Sequence, residues 1–316
     1  MSVPLLVSHP ACTGHVAPGH PERPERLAAI EAAIAADPQA SALPRLQPVP
    51  AVREQLERVH DPAHVDRVFR GGARFDEAGE GGGWLDPDTW MGPGSLDAAL
   101  AAAGAGVAAV SHALSAPHQV AFCLARPPGH HATRGSAMGF CLFNNAAVAA
   151  QAALDAGLNR VAVIDFDVHH GNGTQDIFYD RADVLYLSCH QWPLYPGTGA
   201  ASERGTGAGL GYTLNSPMSE GSRQVEYLDI FRGTFWPALR EYRPELLVVS
   251  AGFDAHERDP LAGMRLTTGA YGLLADEIRG WAGDLCEGRQ AWLLEGGYDL
   301  QALSESVVKV LERLST

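Results

Sequence analysis

The sequence predicts an α/β domain with a central, mostly parallel sheet flanked by helices. Short β-rich apolar runs alternate with longer stretches of helical character, the pattern that builds βαβ units. The chain has 316 residues, 46% hydrophobic and 19% charged, enough to bury a substantial core. Polar residues fit for metal chemistry begin where several apolar runs stop, and parallel sheets bind ligands at the carboxyl ends of their strands.

Taken in order, strands are expected at residues 5–7, 120–124, 161–166, 184–188, 246–250 and 291–294. Each is a short run dominated by Val, Leu, Ile, Phe or Ala. Helices are expected at 23–36, 96–114, 144–156, 223–242, 270–285 and 300–314. Two tracts rich in Gly, Asp and Pro, 71–94 and 193–211, read as long loops, and long ordered loops usually shape a binding site. The second directly follows a strand end carrying His190. No internal repeat and no shift of composition divides the chain, so residues 1–316 read as one domain.

Charge and composition exclude several classes. A net charge of −14 argues against a nucleic-acid surface, which needs clustered Lys and Arg. It is compatible with cationic substrates. No apolar run reaches the roughly 18 residues of a bilayer span, and no membrane attachment is expected. Residues 1–10 lack a basic region followed by a small-residue cleavage site. The five cysteines, Cys12, Cys123, Cys141, Cys189 and Cys286, form no Cys-x-x-Cys pair, so neither a disulfide framework nor a thiolate zinc site is indicated. A reducing cytoplasm fits.

The richest segment is VAVIDFDVHHGNG, residues 161–173. If the strand stays extended, Asp165, Asp167 and His169 share one face. Carboxylates and an imidazole converging at a strand end desolvate badly without a cation, and a metal resolves that. A helix-capping aspartate would account for only one of the carboxylates. A second strand, in LLVVSAGFDAHERDP (246–260), delivers Asp254 just past its end. Alone Asp254 reads as a helix cap. Joined to Asp167 and His169, it completes three protein ligands with an open fourth position, the form of a catalytic zinc site.

Two further strand ends carry chemistry. ARPPGHHATRGSAMGFCLFNN (125–145) places His130 and His131 after a Pro-Pro-Gly turn, and imidazole suits proton transfer near neutral pH. WLLEGGYDL (292–300) places Tyr298 after a Gly-Gly turn, where a hydroxyl could donate to a developing oxyanion. By itself Tyr298 would read as a packing aromatic. Metal ligands, a histidine pair and a hydroxyl donor together specify hydrolysis of a carbonyl compound.

These residues resemble the histone deacetylase family of the arginase–deacetylase superfamily, most of all its class II branch and the bacterial deacetylase-like amidohydrolases. The similarity runs from HPERPERL (20–27) and VHDPAHV (59–65) through RPPGHH, GFC, DFDVHHGNGTQ, SCH, PGTG and SAGFDAHERDPL to EGGYDL. PPGHH, and Asn172 where class I members carry Asp, favour the class II type. The resemblance implies the arginase/deacetylase fold and a zinc ion, for which iron(II) could substitute, held by Asp167, His169 and Asp254. It implies His131 as general base and then acid, His130 as its electrostatic partner oriented by Asp165, Asn172 as a contact of His131, and Tyr298 as oxyanion donor.

It further implies a substrate tunnel at Gly139 and Phe140, with Tyr195 on the opposite wall, Leu261 as a gate and Asp88 at the rim. A structural potassium is implied at Asp165, Asp167, His169, Ser188 and Cys189, and a second at Phe178, Arg181, Val184 and Tyr212. The expected substrate is an acetylated lysine in a protein or peptide, or a small acetylated amine. Polyamine-specific members of the eukaryotic branch carry Glu where this chain has Leu261, which tilts the expectation towards acetyl-lysine. An arginase-like binuclear manganese site would need further carboxylates around residues 169–172. A silent acyl-lysine-binding or metal-binding module would not need the full set of reactive groups. Oligomeric state is not legible.

Overall fold

The computed structural model describes residues 3–316. The chain forms β1 (Leu5–Ser8), α1 (Glu25–Ala36), β2 (Arg45–Leu46), α2 (Arg53–Leu56), α3 (Pro62–Ala78), β3 (Gly83–Trp84), β4 (Trp90–Met91), α4 (Ser95–Ala113) and β5 (Val120–Leu124). It continues through α5 (Asn145–Asp155), β6 (Val161–Asp165), α6 (Asn172–Phe178), β7 (Val184–Gln191), β8 (Thr213–Met218), α7 (Gln224–Ile230) and α8 (Trp236–Tyr242). β9 (Leu246–Ala251), α9 (Thr268–Leu285), β10 (Gln290–Leu294) and α10 (Leu300–Leu314) complete it.

Eight strands form the main sheet in the order β2-β1-β5-β10-β9-β6-β7-β8. Every pairing in it is parallel, beyond the mostly parallel sheet expected. The strands are apolar on both faces because both faces are covered. Leu6, Phe122, Ala162, Ile164 and Val249 point into the layer of α1, α9 and α10, whereas Val7, Cys123, Val161, Val163 and Val248 point towards α4 and α5. α4 is, among the described residues, one helix long and apolar enough to cross a membrane by length and composition. It lies against α5, β5 and β10, and that burial accounts for its Ala-rich sequence.

The structure corrects several sequence expectations. The tract 71–94 is a loop only from residue 79, because α3 runs through Gly71 and Gly72 to Ala78. Gly72 is there for packing: a Cβ on it would stand 2.5 Å from Leu96 Cβ. The expected helix 223–242 is interrupted by a π-turn at Phe231–Phe235, where the Trp236 N–H reaches five residues back to Phe231 O. Pro237 follows with no N–H to offer, so the ordinary ladder could not run unbroken there. β8, with Asn, Ser and Pro among its six residues, was not anticipated. As an edge strand it tolerates Pro217.

Candidate active site

The ends of β5, β6, β9 and β10 lie side by side in the middle of the sheet, and the candidate residues follow them. β6 ends at Asp165, so Asp167 and His169 are not on an extended strand as the alternation suggested. They converge through a tight turn in which Asp165 Oδ1 accepts the Asp167 N–H (3.2 Å) and Asp167 Oδ1 accepts the His169 N–H (2.9 Å). Asp254 comes from the turn after β9 and binds the same segment, its Oδ1 accepting the Val168 N–H at 3.0 Å.

His169 Nδ1 stands 3.2 Å from Asp167 Oδ1 and 3.1 Å from Asp254 Oδ2. Ligand atoms of Asp167, His169 and Asp254 all lie within 4.8 Å of one another, a span that a cation with bonds of about 2.0–2.2 Å can bridge. Both carboxylates are fully buried. Burial, and the neighbouring Asp167, raise Asp254 above the ordinary carboxylate value. Burial alone would lower His169, but Asp167 and Asp254 outweigh it and push the imidazole up to about 10. Such an excess of buried negative charge favours a cation.

The backbone leaves room for one. A Cβ at Gly296 would stand 2.1 Å from Asp254 Oδ2 and 2.7 Å from Asp167 Oδ2, and one at Gly252 would stand 2.1 Å from Asp167 Oδ2. Only glycine lets β9 and β10 approach the two carboxylates this closely. The Gly296 N–H also donates to Asp167 Oδ2 at 2.8 Å, fixing that carboxylate.

The histidine pair faces this cluster. His130 Nδ1 meets Asp165 Oδ2 at 3.1 Å, and Asp165 also accepts from the Tyr186 hydroxyl at 3.1 Å. Burial opposes charge on His130, but Asp167 and Asp165 overcome it and raise the imidazole to about 10. His131 behaves oppositely. Burial, with His130 and His169 beside it, holds it well below its ordinary value. Its Nδ1 lies 2.8 Å from Asn172 Oδ1, while Asn172 Nδ2 turns to Met138 Sδ. Neutral His131 therefore donates Nδ1–H to Asn172 and keeps its lone pair on Nε2.

The cavity, about 200 Å³, is lined by Asp88, Pro128, His130, His131, Gly139, Phe140, His169, Leu194, Tyr195, Leu261, Gly296 and Tyr298. The Tyr195 ring stands edge-on to His131 at 5.1 Å, and the Phe140 ring edge-on to Tyr298 at 5.9 Å. Phe140 occupies the left-handed region at φ 71°, a conformation costing about 1–3 kcal/mol that its surroundings must impose. They do: Asp88 Oδ1 accepts the Gly139 N–H (3.0 Å) and Thr89 Oγ1 accepts the Phe140 N–H (3.1 Å). Asp88 thus secures the wall that Phe140 forms. Among the described residues no protein group bonds the Tyr298 hydroxyl, which leaves it for whatever enters the cavity.

The residues expected around potassium are also placed. Asp165 and Ser188 are register partners on β6 and β7, Ser188 Oγ lies 2.8 Å from His190 Nδ1, and Cys189 Sγ faces Asp165 O at 4.0 Å. Phe178, Arg181 and Val184 surround the turn entering β7. Phe178 O accepts the Arg181 N–H at 3.1 Å, and Tyr212 O accepts the Tyr186 N–H at 2.9 Å.

Sequence reasoning missed the groups that hold the Tyr298 turn. Asp259 Oδ2 accepts the Tyr298 N–H (2.7 Å) and its Oδ1 the Leu261 N–H (3.0 Å). Arg26, fully buried, donates Nε–H to Gly297 O (2.6 Å) and lies over the Tyr298 ring at 5.0 Å. Glu22, also fully buried, bonds both Arg26 and Arg126. Glu22 and Arg26 are in HPERPERL and Arg126 is in RPPGHH, but charged residues alone do not announce that they will be buried as a triad.

The sequence profile described as histone deacetylase domain matches residues 20–314. Histone deacetylase 10, chloroplastic, of Oryza sativa subsp. japonica is 40% identical over 96% of this chain and 71% of its own length. The histone deacetylase-like amidohydrolase of Pseudomonas aeruginosa is 40% identical over 95% of this chain and 78% of its own. Among solved structures, the HD domain of HDA15 superposes with a TM-score of 0.91 at 36% identity, covering 98% of this chain and 88% of that one. The acetylpolyamine aminohydrolase of Burkholderia pseudomallei gives 0.86 at 32% identity, covering 98% of both. The chain belongs to the histone deacetylase family and is a hydrolase of amide bonds.

Proposed function

We propose that the chain is a zinc-dependent deacetylase of the class II type that removes the acetyl group from Nε-acetyl-lysine in a peptide or protein. The observation that carries this reading is the Asp167–His169–Asp254 cluster, whose His169 lines the same cavity as neutral His131 and Tyr298. Bound zinc would make water acidic near neutral pH and polarise the acyl carbonyl. Iron(II) suits the same two carboxylates and imidazole.

In this reading His131 Nε2 takes the proton of the attacking water and returns it to the leaving amine. His130, held charged by Asp165, adds positive potential beside the developing oxyanion. Asn172 fixes the His131 tautomer, and the Tyr298 hydroxyl donates to the oxyanion. Gly139, Phe140, Tyr195 and Leu261 line the path of the aliphatic chain, and Asp88 stands at the rim.

Several finer readings belong with this proposal. Residues 1–316 form one catalytic domain, a view supported by one continuous eight-stranded main sheet and a family match over 20–314. A structural potassium sits at Asp165, Asp167, His169, Ser188 and Cys189, and a second at Phe178, Arg181, Val184 and Tyr212. The five free, buried cysteines and the relatives in bacteria and archaea favour a reducing cytoplasm.

Acetylpolyamine hydrolysis is the second reading, favoured by the likeness to the Burkholderia enzyme over nearly all of both chains. Leu261 offers no partner to a distant ammonium, and this keeps acetyl-lysine first. Rates on an acetyl-lysine peptide and on N-acetylputrescine or N-acetylspermidine, with and without a chelator, test the choice. A kcat/KM at least about tenfold higher on the polyamines, a ratio equal to about 1.4 kcal/mol, replaces the substrate assigned here. Chelator-resistant turnover removes the metal.

A further inference from the structure

Glu295 is fully buried where β10 ends, three residues before Tyr298. Among the described residues no Lys or Arg side chain pairs with its carboxylate. Its partners are instead the Gly129 N–H (2.7 Å) and the His130 N–H (3.2 Å), both on Oε2, and the Ser250 hydroxyl (3.3 Å) on Oε1. Its own N–H is bound to Ala251 O at 2.9 Å, and its carbonyl accepts from Arg26 Nη2. One residue thus ties together the histidine turn after β5, the end of β9 that leads to Asp254, and the turn that carries Tyr298. Burial pushes its carboxyl up to about 7, so the position is retained at an electrostatic cost.

We propose that Glu295 is a positioning residue: its carboxylate clamps the Gly129–His130 main chain and so sets the distance between His131 and the Tyr298 hydroxyl. This rests on the reaction proposed above. His131 is the next residue along the clamped backbone, and the clamp itself grows from the Tyr298 turn. A displacement of about 1 Å between reacting groups can cost on the order of 10²-fold in rate. The groups its carboxylate bonds, the Gly129 and His130 amides and the Ser250 hydroxyl, are neither metal ligands nor part of the walls formed by Phe140 and Tyr195, so substrate binding should not depend on it.

Glu295→Leu keeps the volume and removes the acceptors, whereas Glu295→Gln keeps an acceptor for the two amides and a donor for Ser250. The expected result for Glu295→Leu is a kcat lowered about 10–100-fold with KM and zinc content unchanged. Amide exchange measured by mass spectrometry over residues 126–131 should quicken, and Glu295→Gln should restore most of the rate and the protection. Wild-type kcat and exchange in Glu295→Leu, or Glu295→Gln as impaired as Glu295→Leu with zinc intact, would overturn the proposal. If Glu295→Leu does not fold, Glu295→Asp serves: its carboxylate, one methylene shorter, cannot reach Gly129 and Ser250 together. Unchanged kcat and exchange in that variant sink the clamp. Exchange reports on the clamp without turnover, so a wild-type protein inactive on every acylated amine would refute the reaction and leave the clamp separately readable.

Discussion

Asn172 Oδ1 and His131 Nδ1 are 2.8 Å apart, and that contact decides which nitrogen of His131 is free to accept a proton. Burial, with His130 and His169 beside it, holds His131 well below its ordinary value, so in the proposed reaction it is the neutral base over the working range. Asn172→Asp would put a negative charge against the same nitrogen and favour the protonated form. The base form would then be lost at higher pH, and the acid limb of kcat/KM should move alkaline by about 1–3 units. An unmoved limb in a pH–rate profile contradicts the assignment of His131.

Tyr298→Phe removes a hydroxyl that bonds no protein group among the described residues and keeps a ring packed against Phe140 and Arg26. Stability should be unchanged, while kcat falls by about 10²–10³ with little change in KM. Steady-state kinetics with a thermal melt checks both halves, and a KM effect without a kcat effect would make Tyr298 a binding group.

Gly296→Ala introduces a Cβ into the space beside Asp254 Oδ2 and Asp167 Oδ2. The carboxylates must move, and zinc affinity should drop about 10–100-fold without loss of secondary structure. Competition with a chelator, followed by circular dichroism, measures this. Unchanged affinity would show that the metal lies elsewhere.

If the proposed zinc is held at the Asp167–His169–Asp254 cluster, dialysis against a chelator should abolish hydrolysis and lower Tm, because the two buried carboxylates would lose their cation. Added zinc should restore both. A Tm indifferent to zinc would argue against the cluster as the binding site.

Glu22 sits between Arg26 and Arg126 with all three side chains fully buried. Burial alone would raise its carboxyl, but the two guanidiniums hold it at about 2, below the ordinary 4.5. Its contribution is therefore present above pH about 4.5 and lost as pH falls towards 2. Glu22→Ala should destabilise the fold at neutral pH by about 3–5 kcal/mol, since two buried charges lose their partner. Denaturant midpoints at several pH values test it, and the variant should lack that part of the acid dependence.

How far the sequence spoke depends on the kind of group. Asp165, Asp167, His169 and Asp254 stood out because polar residues directly after apolar strands are costly unless they have a task. Asp259, Thr89 and the Glu22 triad did not, because a single acidic or hydroxyl residue on a loop looks the same whether it is solvated or holds a backbone amide. α3 was hidden by Gly71 and Gly72, which read locally as loop but fit a helix because Leu96 presses against it.

Period and composition along the chain determined six of the ten strands among the described residues and most of the helices, and made Asp167, His169 and Asp254 candidates one strand end at a time, since these depend on neighbours within a few residues. The wholly parallel strand order, the π-turn and the Phe140 wall held by Asp88 and Thr89 depended on residues far apart in sequence. Only folding brings such groups within hydrogen-bonding range, and only there does burial decide which of them must be paired and which can stay free for chemistry.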